Sequence, residues 1–154
     1  MYVATILSTF YFLGVARILS HEAGINDMIV LQAALLHDTV EDTDTTFAEL
    51  EEKFGKAVTD VVGEVTDDKS LKREERKRLQ IVHAPTSSHR AKLVKLADKL
   101  YNLQDLCKST PRGWTSKRSD EYFKWSKQVV DGLRGTCLEL EIELDKIFTT
   151  KRLM

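Results

Sequence analysis

A chain of 154 residues, 42% hydrophobic and 31% charged, has enough apolar material for one core and too little length for a second full domain. Its 23 Lys and Arg against 24 Asp and Glu exclude a general affinity for nucleic acid or an anionic membrane, so an anionic ligand must be met by a local patch. Two cysteines exclude a disulfide framework and fit a reducing compartment, the cytoplasm, while two Pro and seven Gly exclude a disordered or loop-dominated chain.

The stretch from Met1 to Ala16 carries no charge. It falls short of the roughly 20 apolar residues that a membrane span requires, and it lacks the basic start and small-residue cleavage site of a secretory signal. It reads as a buried first helix, with membrane targeting as the lesser alternative. Ile29 to Leu36 predicts a strongly apolar helix that ends in the polar run His37-Asp38-Thr39-Val40-Glu41-Asp42-Thr43-Asp44. Thr46 and Glu49 have the spacing of a capping box, which starts a short helix through Lys53 that Gly55 terminates. Further helices are expected over residues 56–66 and over the basic stretch Lys72 to Val82, and Pro85 to Ser88 reads as a loop. From Arg90 to Cys107, Leu93, Leu96, Ala97, Leu100 and Leu103 fall on one stripe and predict a buried helix. Thr110 to Gly113 breaks the chain, and two helices follow, 116–133 and 136–149, divided near Gly135. No alternating run of β-branched residues calls for a strand, so the fold class is all-α, a single helical bundle.

Residues able to carry chemistry gather at two places. The run from Leu35 to Asp42 sets an imidazole, His37, and three carboxylates, Asp38, Glu41 and Asp42, directly after an apolar helix. At about 100° per residue, His37 shares a face with Glu41, and Asp38 with Asp42. Carboxylates at a buried helix end repel one another unless a cation neutralises them, and a divalent metal is the economical neutraliser. Imidazole beside carboxylate suits Mn²⁺, Fe²⁺ or Zn²⁺. The other place is Asp98, which interrupts an apolar helix and has Lys95 and Lys99 as alternative partners. Asn102 and Asp105 extend it into a polar stripe. Between the two, Lys69 to Arg78 holds six basic residues against Glu74 and Glu75, the kind of local patch that a phosphate-rich substrate needs.

Ala-Leu-Leu-His-Asp-Thr-Val-Glu-Asp-Thr at 34–43 and Val-Lys-Leu-Ala-Asp-Lys-Leu-Tyr-Asn-Leu at 94–103 resemble the HD-domain superfamily of metal-dependent phosphohydrolases. More closely, they resemble the hydrolase domain of RelA/SpoT enzymes and their stand-alone animal relatives, the metazoan SpoT homologues. The resemblance implies an HD-type helical domain over residues 14–154 behind a divergent apolar leader, residues 1–13. It implies Mn²⁺-dependent removal of the 3′-pyrophosphate from guanosine tetra- or pentaphosphate. On it, His37, Asp38 and Asp98 are metal ligands, and Glu41 and Asp42 position or deprotonate the attacking water. Asn102 contacts substrate near the metal, Tyr122 lines the nucleotide pocket and Arg73 contacts a phosphate. The implied partner is a phosphorylated guanine nucleotide, with neither nucleic acid nor membrane, and a homo-oligomer is compatible with it.

The resemblance fails ahead of Gly14, where the family has a metal ligand and, before it, a basic helix. Family members carry a further metal-ligating His ahead of the Gly-Val-Ala-Arg-Ile-Leu stretch, and Tyr11 stands there in this chain. His21 is the compositional substitute, whereas His83 and His89 flank a loop and read as surface residues. The abrupt change to an unrelated leader reads as an alternative start, a splice variant or a gene-model error. Two alternative functions follow: the same chemistry on another nucleotide such as NADPH, or a catalytically impaired form that binds nucleotide or a full-length partner because the first ligand is absent.

Overall fold

Apolar residues at helical spacing form helices throughout residues 11–154, the part of the chain that the computed structural model describes. Residues 11–17 are helical (α1) and pass into a π-helical turn, Ile18–Glu22. The apolar leader expected over residues 1–13 lies outside the described residues except for Tyr11, Phe12 and Leu13, which belong to α1. Asp27 caps α2 (Met28–Leu36), its carboxylate accepting from the Ile29 amide at 2.9 Å. The chain leaves helical geometry at Asp38 (φ −101°, ψ 2°) and resumes as a short helical stretch, α3 (Thr39–Asp42).

Both halves of the Thr46–Glu49 capping box form and start α4 (Phe47–Phe54). Gly55, at φ 86° and ψ 166°, takes a positive-φ conformation that glycine adopts without a Cβ penalty and that separates α4 from α5 (Lys56–Val65). The basic helix is α6 (Arg73–His83). It runs on into a 3₁₀ turn, Ala84–Thr86, where a loop was expected. Pro85 sits in the first positions of that turn, where a missing N–H leaves no bond unmade. Ser88 caps α7 (His89–Lys108), and α8 (Ser116–Asp131) and α9 (Leu138–Thr150) complete the bundle. The described residues contain no strand, Cys107 and Cys137 are free, and no described helix is long and apolar enough to cross a membrane.

Helix α7 is the axis, touching α2, α5, α8, α9 and the π turn. Its predicted stripe, Leu93, Leu96, Ala97, Leu100 and Leu103, is buried throughout, so one face of α7 supplies much of the core and fixes the height of Asp98 within it. Helix α1 approaches α7 closely at Gly14, where an added Cβ would overlap the Tyr101 ring. Gly14→Val is expected to lower stability by about 1–3 kcal/mol through overpacking. Urea denaturation checks this, and a variant as stable as the parent contradicts the close contact.

Candidate active site

His37 closes the C-terminal end of α2, and only 4% of it is exposed. Its Nδ1 donates to the Ala34 carbonyl at 2.6 Å, which leaves Nε2 to face Asp38 Oδ2 and Asp98 Oδ1, each at 3.4 Å. Nε2 is buried and makes no hydrogen bond. His37 and Glu41 would share a face only on an unbroken helix, and the chain turns at Asp38 instead. His37, Asp38 and Glu41 nevertheless line a common cavity.

Asp98 is the hub of the site. Its Oδ1 accepts from the Tyr11 hydroxyl and from Asn102 Nδ2 at 3.3 Å, and its Oδ2 accepts from Lys99 Nζ at 3.2 Å. Lys99, buried, also rests 4.6 Å from the centre of the Trp125 ring. Of the two lysines beside Asp98 it is therefore Lys99 that pairs with it, while Lys95 donates to Ser87 Oγ at 2.9 Å. Burial pushes the Asp98 carboxyl up, but Lys99 and His37 outweigh it and hold Asp98 well below the usual carboxylate range. Burial, then the Asp98 carboxylate, keep the Tyr11 phenol far above its ordinary value, so it serves as a neutral donor.

Burial disfavours a charged His37, yet Asp98 and Asp38 prevail and raise it to about 9, and burial first, with neighbouring acids, raises Asp38 to about 6. Both groups therefore bind protons more tightly folded than unfolded. The His37 contribution is fully present below its unfolded value of about 6.5 and is lost as pH rises through 9. Metal-free protein is expected to lose about 2–3 kcal/mol of stability across that window. Thermal melts from pH 6 to pH 9.5, against a flatter profile in His37→Gln, check this; a flat parent profile contradicts it.

Glu41 Oε1 accepts from the Asp67 amide at 2.6 Å, and Lys69 Nζ donates to the Glu41 carbonyl and approaches Asp42 at 3.8 Å. Burial raises the Glu41 carboxyl above its ordinary value. His37, Asp38, Glu41 and Asp98 line one cavity of about 470 Å³ together with Arg76, Lys95 and Lys99. Asp42 is exposed and stands off its wall. Asn102 lies behind Asp98, and Asp105 is exposed, so the polar stripe of α7 ends at Asn102.

Arg73 and Tyr122 are placed elsewhere. Arg73 lies in a second depression, of about 400 Å³, with Lys77, Lys117 and Arg118. Tyr122 packs between Trp114 and Trp125, with the Lys77 ammonium 5.6 Å from its ring centre. Lys77 thus joins the aromatic cluster to the depression. Arg76, Gln80 and His83 of α6 reach the first cavity instead; Arg76 was expected only as part of the basic run, His83 only as a surface residue, and Gln80 not at all. Residues 76, 79, 80 and 83 form one helical stripe, displaced around α6 from the stripe of Arg73 and Lys77; the spacing shows both stripes but not which of them faces the cavity. His83 and His89 are exposed, as expected. His21 is exposed beside Ser20 and lies off the cavity wall, so it does not substitute for the absent His.

The donor chemistry fits a divalent cation. An unpartnered buried imidazole nitrogen lies between two carboxylate oxygens, and its other nitrogen is anchored on a carbonyl, the arrangement that orients a metal-bound His. Among the described residues no group of three or more His, Cys, Asp and Glu side chains is ready-made for an ion. Asp98 Oδ1, the oxygen facing His37, is the one engaged by Tyr11 and Asn102.

The HD domain pattern matches residues 6–122. This chain belongs to the HD-domain family. It is 65% identical over 136 residues to the guanosine-3′,5′-bis(diphosphate) 3′-pyrophosphohydrolase MESH1 of Xenopus tropicalis, covering 88% of this chain and 76% of that relative. It is 62% identical over 141 residues to MESH1 of Homo sapiens, covering 92% of this chain and 79% of the relative. A solved structure of a metazoan ortholog of SpoT, stated to hydrolyse ppGpp and to play a role in starvation responses, matches with a TM-score of 0.93 at 57% identity, covering 95% of this chain and 82% of that one. The all-helical HD domain expected from the two motifs is the fold observed, and within the family the chain groups with the metazoan SpoT homologues.

Proposed function

We propose that this chain hydrolyses the 3′-pyrophosphate of guanosine tetra- or pentaphosphate, with Mn²⁺ as its metal. The observation that carries the proposal is the unpartnered His37 Nε2 between Asp38 and Asp98, in a cavity whose wall also holds Glu41 and the cations Arg76 and Lys95. The names of the relatives point to the same substrate. His37 Nε2, Asp38 and Asp98 would hold the ion, which when bound acidifies water and draws charge from a phosphoryl oxygen.

The chain's own groups supply the rest. Glu41 takes the proton of the attacking water, and the Asp67 amide fixes its carboxylate for that task. Burial of Glu41 raises its basicity toward the operating pH. Water oxygen adds to the phosphorus on the ribose 3′ oxygen, the P–O3′ bond breaks, and the ribose oxygen takes up a proton as pyrophosphate leaves. Asp42, at the mouth, shares Lys69 with Glu41 and steadies the turn that carries both. Asn102 keeps Asp98 in place beside the substrate, and the nucleotide extends toward Tyr122 and the phosphate-binding cations around Arg73. The test is Mn²⁺-dependent release of pyrophosphate from guanosine tetraphosphate, with NADPH and phosphate release as the parallel arm. A folded, metal-loaded sample with no turnover of the guanosine substrate refutes the proposal.

A further inference from the structure

Tyr11 reaches the site from α1, and its hydroxyl donates to Asp98 Oδ1, the oxygen that lies 3.4 Å from His37 Nε2. Asn102 Nδ2 donates to the phenol oxygen at 3.1 Å and to the same Asp98 oxygen at 3.3 Å. A carboxylate oxygen has two lone pairs, and here two donors take them. The Tyr11 ring is wedged in place, with ring centres 5.5 Å from His37 and 5.0 Å from Tyr101. The oxygen that would close a cation seat with His37 and Asp38 is therefore already saturated, while His37 Nε2, 3.4 Å from it, makes no hydrogen bond.

We propose, resting on the reading of His37, Asp38 and Asp98 as the metal seat, that Tyr11 is a plug in that seat: a hydrogen-bonded phenol that a divalent cation must displace from Asp98 in order to bind. Loading then depends on the free metal concentration, because each bound ion has to break the Tyr11–Asp98 hydrogen bond. Asn102 is the positioning residue that holds the plug, since its amide bridges phenol and carboxylate.

Mn²⁺ titrated calorimetrically into the metal-free chain, with bound ion counted by electron paramagnetic resonance, tests this on the parent, Tyr11→Phe and Tyr11→His. Tyr11→Phe keeps the ring and removes the donor, and is expected to bind Mn²⁺ about tenfold tighter, the effect of losing one hydrogen bond to a charged acceptor from the competing state. Tyr11→His, which offers a ligand in place of a donor, is expected to bind tighter still. Hydrogen exchange on the parent needs no variant: amides of residues 11–17 are expected to exchange faster once Mn²⁺ is loaded. Equal affinity in the parent and Tyr11→Phe overturns the plug. So does tighter binding by the parent, which would make Tyr11 a ligand, and so does the absence of bound Mn²⁺ in all three proteins. Pyrophosphate release is scored separately: tighter Mn²⁺ binding by Tyr11→Phe without hydrolysis counts against the hydrolase and leaves the plug standing.

Discussion

Asp98→Ala is expected to abolish Mn²⁺ binding and to destabilise the metal-free protein by about 3–5 kcal/mol, the scale set by removing one partner of a buried ion pair. The reason lies in what Asp98 holds. Its two oxygens serve Lys99, Tyr11 and Asn102, and they neutralise the charge on His37. Alanine leaves the Lys99 ammonium without a counter-ion in a setting where only 6% of that residue is exposed, and the Trp125 face cannot replace a carboxylate. Asp98→Asn separates the two effects. An amide oxygen still accepts from Tyr11 and Asn102, so the variant keeps that part of the stability but not the Lys99 counter-ion, while losing the charge that a cation requires. Urea denaturation of metal-free protein reads the first effect and calorimetry with Mn²⁺ the second. An alanine variant as stable as the parent would remove Asp98 from the centre of the site.

The role of Asp98 as a hub also explains which parts of the site were legible in the sequence. A lone carboxylate beside the buried stripe of Leu93, Leu96 and Leu100 signals a charge drawn toward the core, and such a charge needs partners, so the position was readable from local pattern alone. Capping at Thr46 and the stop at Gly55 were readable for the same reason, since each rests on contacts within a few residues. The relation of His37 to Glu41 was not, because the i, i+4 rule holds only on a continuous helix and the backbone leaves it at Asp38. Arg73 was singled out in α6, yet rotation of the helix about its axis gives the first cavity Arg76, Gln80 and His83. Such a rotation is set by packing of α6 against α8, which no local spacing encodes. The contact of Tyr11 with Asp98 spans 87 residues, and only the approach of α1 to α7 at Gly14 creates it.

Glu41→Gln is the variant that isolates the chemical step. Glutamine keeps an Oε1 acceptor for the Asp67 amide, so the turn carrying α3 and the stability of the fold should be retained. What it loses is a basic site for the proton of the attacking water. Turnover of guanosine tetraphosphate at saturating Mn²⁺ is expected to fall by about 10²–10⁴, the range of a general base, with little change in Mn²⁺ affinity or melting temperature. The pH profile sharpens the assignment. Because burial holds the Glu41 carboxyl above its ordinary value, the acidic limb of the parent profile should fall at a higher pH than an exposed glutamate would give, and that limb should vanish in the variant. Unchanged turnover in Glu41→Gln would transfer the role to another carboxylate at the mouth, and Asp42, which shares Lys69 with it, is the residue to replace next.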